Sequence, residues 1–391
     1  MDKFKQEVEE ELVEHILPFW INLQDKQNGG FFGEVDYDLN INKEGDKGVV
    51  AATRFLWAFS AAYRVIKKKE YLEVASHMYD FLINRAIDKE YKGLYWLLDF
   101  RGAPVDTRKH IYTQSFGIYA FSEYYRVTKK AEALTLAKEL YELIETKGFD
   151  EDINGYKEEF DRYWTEAPNE MLSENGVIAD VTMNTHLHIL EAYTNLYNVW
   201  PAEELKGRIE NLIYIFYEKI FDHKTKFLKV FFDKKWGDII ELKSFGHDIE
   251  GSWLIDEALK VIGLEDDRVI TMIKDIAYNI ADYAIQEDGS LINEEEKNTM
   301  DYTRVWWVQA EAMVGFLNAY QRTGDHRFKD IVKGLWKYTK QNIIDKRVNG
   351  EWYWSIEADG MPTKRNVVEP WKASYHNARF CLEVIERHEK L

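Results

Sequence analysis

Three histidines stand near the starts of segments with helical periodicity: His188 in MNTHLHIL, His247 in SFGHDIEG and His376 in SYHNARF. An imidazole titrates near neutral pH, so it can take a proton from one atom and return it to another. Arg54, Tyr112, Asn184, Glu250, Trp306, Trp307 and Trp371 fall at equivalent places in their own segments. A guanidinium can stabilise a developing oxyanion, and indoles offer flat faces to a ring. His247 and Glu250 are spaced i, i+3 on one helix face, so the carboxylate is expected to orient the imidazole or raise its pKa; the plain alternative is a buried ion pair. His186 and His188 read as HxH, but residues two apart on a helix point to different faces, so we expect His188 in a cleft, on one face with Asn184, and His186 in a structural role. His15, His77, His110, His223, His326 and His388 lie on polar or outer stretches and are assigned no chemistry. Taken singly, Arg54 could be a core salt bridge, the tryptophan pair plain packing and His376 a structural histidine.

What makes these residues a set is the elements that carry them. Segments at about 49–67, 107–128, 180–200, 245–263, 302–323 and 371–388 are rich in small and aromatic residues, as in AATRFLWAFSAAY, and are expected to be helices buried nearly all round. They alternate with segments at about 4–24, 71–87, 131–147, 203–221, 265–286 and 325–342 that carry Lys and Glu on one face, as outer helices do. Each outer segment leads to the next inner one through an insertion with turn residues and β-prone aromatics, such as NGGFFGEVD, YKGLYWLLDFRGAP and NGEWYWSIEADG. Inner starts at 49, 107, 180, 245, 302 and 371 are separated by 58, 73, 65, 57 and 69 residues, a degenerate repeat rather than separate domains. The expected fold is all-α: an (α/α)6 barrel of six helical hairpins, one domain over 1–391, with short β-prone loops at one mouth. An open solenoid would need polar capping repeats, whereas the terminal segments carry Phe19, Trp20, Cys381, Leu382 and Val384 for burial. In a closed barrel the inner helices run the same way, so all the polar entries meet at one mouth with the positive ends of the helix dipoles.

Composition narrows the ligand. A formal charge of -18 opposes nucleic acid and anionic membranes as partners, and a neutral small molecule is the easier ligand. The amphipathic start MDKFKQEVEEELVEH is unlike a signal peptide, and no apolar run approaches the roughly 20 residues of a membrane span, so a cytoplasmic setting is expected. One cysteine excludes an intramolecular disulfide or a thiolate metal cluster. Thirteen Trp, 24 Tyr and 21 Phe supply a large aromatic core and mildly favour a carbohydrate ligand, because pyranose C–H faces stack on aromatic rings.

MNTHLHILEAYTNLY, SFGHDIEGSWLIDEA, RVWWVQAEAMVGFLNAY and EPWKASYHNAR, with HILPFW near the start and ATRFLWAFSAAYR after the first insertion, resemble the cellobiose 2-epimerase family, which groups with N-acylglucosamine 2-epimerases and mannose isomerases. The resemblance covers essentially the whole chain, although ATRFLW departs from the NSRILW-like form common in the family. It implies an (α/α)6 barrel that inverts C2 of the reducing-end glucose of β-1,4 disaccharides without a metal or redox cofactor. It further implies catalytic roles for His247, His376, His188, Glu250 and Arg54, and sugar contacts from Tyr112, Asn184, Trp306, Trp307 and Trp371. After ring opening, one histidine would remove the C2 proton to give a cis-enediolate, and a second, from the opposite side of the barrel, would reprotonate it. A monomer acting on a small-molecule substrate is expected. The competing readings are an aldose–ketose isomerase on the same scaffold, an inverting glycosidase with two facing carboxylates, and a glycan-binding protein without catalysis.

Overall fold

Among the described residues, twelve helices alternate between two concentric layers, as the repeat predicts. The computed structural model describes residues 2–172 and 176–388. In chain order the helices are α1 (2–22), α2 (Val49–Ile66), α3 (69–86), α4 (Ile111–Thr128), α5 (131–148), α6 (Met183–Tyr197), α7 (203–220), α8 (Phe245–Ile262), α9 (Asp267–Tyr283), α10 (Trp306–Thr323), α11 (326–343) and α12 (Tyr375–His388). The even-numbered helices form the inner ring, each packed on the next, and α12 closes on α2. Each odd-numbered helix from α3 onward covers the inner helix just before it, while α1 covers α12. The two ends of the chain thus complete the sixth hairpin. That is how the barrel avoids the exposed terminal repeats of a solenoid.

Burial follows the sequence pattern. Residues 49–62 of α2 are all buried, whereas in α11 only one stripe is, including Phe328, Val332, Leu335 and Trp336. α2 is long and apolar enough to cross a membrane by composition, with a mean hydropathy of 1.3, but here it is a core helix of the ring. At one end of the barrel, short turns through left-handed residues Lys67, Lys129, Gly263 and Gly324 connect inner helices to outer ones.

The long insertions gather at the other end. Their short antiparallel strand pairs stitch consecutive hairpins together: 47–48 with 97–98, 109–110 with 159–160, 181–182 with 231–232, 242–244 with 294–296, and 304–305 with 355–356. A bridge between Val35 and Val368 completes the ring. Where the first and last insertions meet, a side chain at Gly48 would lie 2.4 Å from the Pro370 carbonyl oxygen, so only glycine fits. The fourth residue of several inner helices anchors an insertion by accepting a backbone N–H: Gln114 from Leu94 at 2.7 Å, His186 from Tyr156 at 3.0 Å, Asp248 from Leu228 at 2.6 Å and Gln309 from Leu291 at 3.0 Å. His186 therefore has the structural duty expected of it.

Boundaries differ from the sequence reading in one direction. The inner helices expected from 107, 180, 302 and 371 begin at Ile111, Met183, Trp306 and Tyr375. In three of them the preceding residues are spent on strand pairing, which periodicity alone does not reveal.

Candidate active site

A cavity of about 320 Å3 opens at the insertion end of the barrel, and all ten residues singled out in the sequence line it. Arg54 comes from α2, Tyr112 from α4, Asn184 and His188 from α6, His247 and Glu250 from α8, Trp306 and Trp307 from α10, Trp371 from the segment before α12, and His376 from α12 itself. Six inner helices converge because the barrel is closed and parallel at this end. Met171, Leu172, Trp354, Arg365, Glu294 and Glu369 come from the insertions and complete the wall.

Several polar atoms here have no hydrogen-bond partner among the described residues. They include Asn184 Oδ1, Glu250 Oε2, Trp306 Nε1 and Arg54 Nε, all buried. Buried polar groups are nearly always satisfied, so such a concentration at one cavity marks a surface built for a polar ligand. Arg54 donates to the Trp371 carbonyl at 3.0 Å and to the Tyr112 hydroxyl at 2.7 Å, and its guanidinium lies 4.4 Å over the Phe116 ring and 4.9 Å over Tyr375. Among the described residues a carbonyl, a phenol and ring faces engage it rather than a carboxylate. Trp371 packs edge-on against Trp96 at 5.0 Å. Burial pushes the Tyr112 hydroxyl up to about 12, so it stays a neutral hydrogen-bonding group.

The histidines differ in what stands behind them. His188 Nδ1–H donates to Glu191 at 2.9 Å, and His376 Nδ1–H donates to Glu311 at 2.7 Å. His247 Nδ1 lies 2.7 Å from the Ser244 hydroxyl. The expected His247–Glu250 pair is therefore corrected: Glu250 turns to Arg379 instead. The i, i+3 spacing permits that pair, but a buried carboxylate gains more from a cation, and Arg379 reaches it from α12. Burial lowers His247 to about 3, and His188 adds to the effect. Burial, then Arg54 and Arg379, holds His376 well below the ordinary imidazole range. Both are neutral, as a proton acceptor must be. Burial and the neighbouring Glu311 charge raise Glu250 to about 7, against the pull of Arg379.

His247 and His376 sit on helices separated in the ring by α10, not on diametrically opposed ones. Trp307 of α10 stands between them, its ring 4.7 Å from His247 and 5.5 Å from His376. One expectation about the remaining histidines also needs correction. His110 is not on a polar stretch but is fully buried at the start of α4, where Nδ1 accepts from the Tyr112 N–H at 3.2 Å and Nε2 meets Asn169 at 3.1 Å. Burial lowers it to about 4, and it serves as a helix cap.

Five residues around the site escaped the sequence reading: Ser244, Glu191, Glu311, Tyr375 and Arg379. Most lie one turn deeper on helices already implicated, Glu191 three residues after His188 and Arg379 three after His376. Ionisable residues inside segments expected to be buried all round were the available signal. Glu250, Glu311 and His376 bring ligand atoms within 4.8 Å of one another, a spacing that could suit a metal ion. Arg379 already bonds both of those carboxylates, and a cation would have to displace it.

Comparison with known proteins agrees with this geometry. The family profile of N-acylglucosamine 2-epimerase matches residues 30–379. The chain belongs to the N-acylglucosamine 2-epimerase family. It is 47% identical to a cellobiose 2-epimerase of Dictyoglomus turgidum, over 98% of each chain. A solved cellobiose 2-epimerase from Bacillus thermoamylovorans superposes with a TM-score of 0.98 at 61% identity, covering 99% of this chain and 100% of that one. A D-mannose isomerase of Marinomonas mediterranea is a distant relative, 23% identical over 96% of this chain and 95% of its own. The expected (α/α)6 barrel is thus the fold of the family's epimerases.

Proposed function

We propose that the protein is a cellobiose 2-epimerase, an isomerase that inverts C2 of the reducing-end glucose of a β-1,4-linked disaccharide, turning cellobiose into glucosyl-mannose and lactose into epilactose. The observation that carries this reading is the pair of neutral histidines, His247 and His376, flanking Trp307 in a cavity whose Arg54 meets no carboxylate among the described residues.

The chemistry begins with the ring-closed sugar, whose C2 proton is not acidic. His188 and Glu250 move the protons that open it to the aldehyde, Glu250 being able to give or take a proton near neutrality. One of His247 and His376 then removes the C2 proton. The pair of electrons left behind moves onto the C1 oxygen, giving a cis-enediolate stabilised by Arg54 and by the inner-helix N-termini. Rotation about C2–C3 presents the other face, and the second histidine, which draws a proton from solvent, delivers it to C2 while the first passes the proton it removed to solvent. Tyr112, Asn184, Trp306, Trp307 and Trp371 hold the sugar. Residues 1–391 work as one catalytic domain, in our reading a cytoplasmic monomer that needs no metal or redox cofactor.

The test is cellobiose incubated with the protein in D2O and followed by NMR. A glucosyl-mannose product carrying deuterium at C2 is expected. A ketose as the main product would replace epimerisation with aldose–ketose isomerisation, free glucose would make the protein a hydrolase, and unchanged cellobiose would overturn the enzymatic reading.

A further inference from the structure

Beneath the cavity floor lies a buried ionic cluster with one cation at its centre. Arg379 is fully buried and bonds three carboxylates from three different helices: Glu191 of α6, Glu250 of α8 and Glu311 of α10, the last at 2.7 Å. Two of these are the acceptors behind His188 and His376. The Tyr375 hydroxyl donates to Glu191 at 2.5 Å, and Trp253 Nε1–H donates to Glu311 at 3.2 Å, so each carboxylate is held from more than one side.

We propose that Arg379 is a positioning residue: its guanidinium ties together the carboxylates that orient His188 and His376, and thereby fixes both imidazoles with Nδ1 protonated and Nε2 available to the ligand. The proposal deepens the reading of the cavity as a proton-transfer site and rests on it.

The physical reason is charge conservation in a dry interior. An ionised carboxylate only accepts hydrogen bonds, so the imidazole facing it must carry its proton on Nδ1. A buried carboxylate deprived of its counter-charge takes up a proton. It would then donate to Nδ1, push the imidazole into the Nε2–H form and remove the lone pair that a base needs. Burial works to raise Glu191, yet Arg379 and His188 bring it down to about 2, so it remains an acceptor. The cluster sets three carboxyl groups around one guanidinium, and Glu250, raised to about 7, is the one that most readily holds a proton. Glu311, bonded directly to His376 Nδ1, steadies an imidazolium formed there when a proton arrives from a sugar, against the burial, Arg54 and Arg379 that keep the resting ring neutral. His247, backed by a hydroxyl, lies outside this arrangement.

The deciding measurement needs no sugar: side-chain 15N spectra of histidine-labelled protein. In the wild-type chain His188 and His376 should both show Nδ1–H with unprotonated Nε2; an Nε2–H form at either one overturns the proposal without any variant having to fold. Arg379→Gln should shift at least one of them to Nε2–H and lower kcat by on the order of 10²-fold or more, with KM changed little. Arg379→Lys, which keeps the charge, should retain the Nδ1–H forms and recover part of kcat. A folded Arg379→Gln protein with wild-type tautomers and kcat within about threefold of wild type sinks the idea. Failure of the wild-type protein to turn over cellobiose would instead count against the epimerase reading, and the two failures are separable because the tautomers are read in the absence of substrate.

Discussion

The two ends of the barrel each hold a polar cavity, and the larger one is at the wrong end for the chemistry. At the short-turn end a space of about 570 Å3 is lined by Arg64, Arg126, Lys260, Arg322 and Arg387 together with Glu123, Glu257, Glu383 and Glu386. Every one of those cations has a carboxylate: Arg64 with Glu123 and Glu386, Arg126 with Glu123, Lys260 and Arg322 with Asp256, and Arg387 with Glu383. At the insertion end the cavity is smaller, but Asn184, Glu250, Trp306 and Arg54 keep polar atoms without partners among the described residues. Volume does not locate the site; unspent hydrogen-bonding capacity does. The rear charges are paired with one another and hold helix ends together, Glu123 Oε2 facing Arg126 at 3.6 Å without a hydrogen bond, while the front ones are open to a ligand.

Four experiments would break or sharpen that contrast. The largest effect is expected at the front: His376→Ala and His247→Ala should each lower epimerisation by about 10²- to 10⁴-fold or more, as loss of an acid–base group does, with the thermal midpoint little changed. Retained turnover in either variant would remove that histidine from its role. Next in size is a pH effect. Glu250 is raised to about 7 by burial and by Glu311, so its acid form is present below that pH and lost above it. A step that needs the acid form should therefore fade as pH rises through about 7, and Glu250→Gln should flatten that limb of the kcat/KM profile. At the rear, Arg64→Ala should leave kcat/KM within about twofold while costing roughly 1–3 kcal/mol in a denaturation experiment, since Glu123 loses one partner but Arg126 stays. A large loss of turnover there would mean that the rear cavity takes part in function.

The smallest effect is expected at Asp248, a buried front-end group with a scaffold duty. Burial raises its pKa well above the ordinary carboxyl value, and it occupies the anchoring position that Gln114 and Gln309 fill with an amide. Because its folded-state pKa lies above the unfolded one, its stabilising contribution is complete at low pH and is lost as pH rises through the folded value. Asp248→Asn should therefore match the wild type in acid and be more stable than it in alkali, by up to about 1–2 kcal/mol. Melting curves across pH would show the two diverging; curves that stay parallel would mean Asp248 is not a neutral acid in the fold.

The repeat, the layer assignment and ten of the residues that line the cavity were legible in the sequence because helical periodicity records which faces are buried, and polar residues interrupting a buried pattern stand out. The deeper cluster was less visible. Glu191, Glu311 and Arg379 lie within helices whose register along the barrel axis is set by packing, and nothing in a linear pattern says that α6, α8, α10 and α12 bring them to one point. The same limit explains Glu250: spacing on α8 allowed a partner on its own helix, and a cation from another helix took it.

The sequence by itself determined a closed ring of six helical hairpins and the mouth at which its polar residues gather, since burial periodicity and repeat spacing are properties of the chain. Only the tertiary structure decided which carboxylate backs which histidine, that His247 leans on Ser244, and that Arg379 joins three helices at the axis. Those pairings are contacts between segments far apart in the chain, chosen by electrostatics in a low-dielectric interior, where a charge goes to the best counter-charge in reach rather than to its nearest neighbour in sequence.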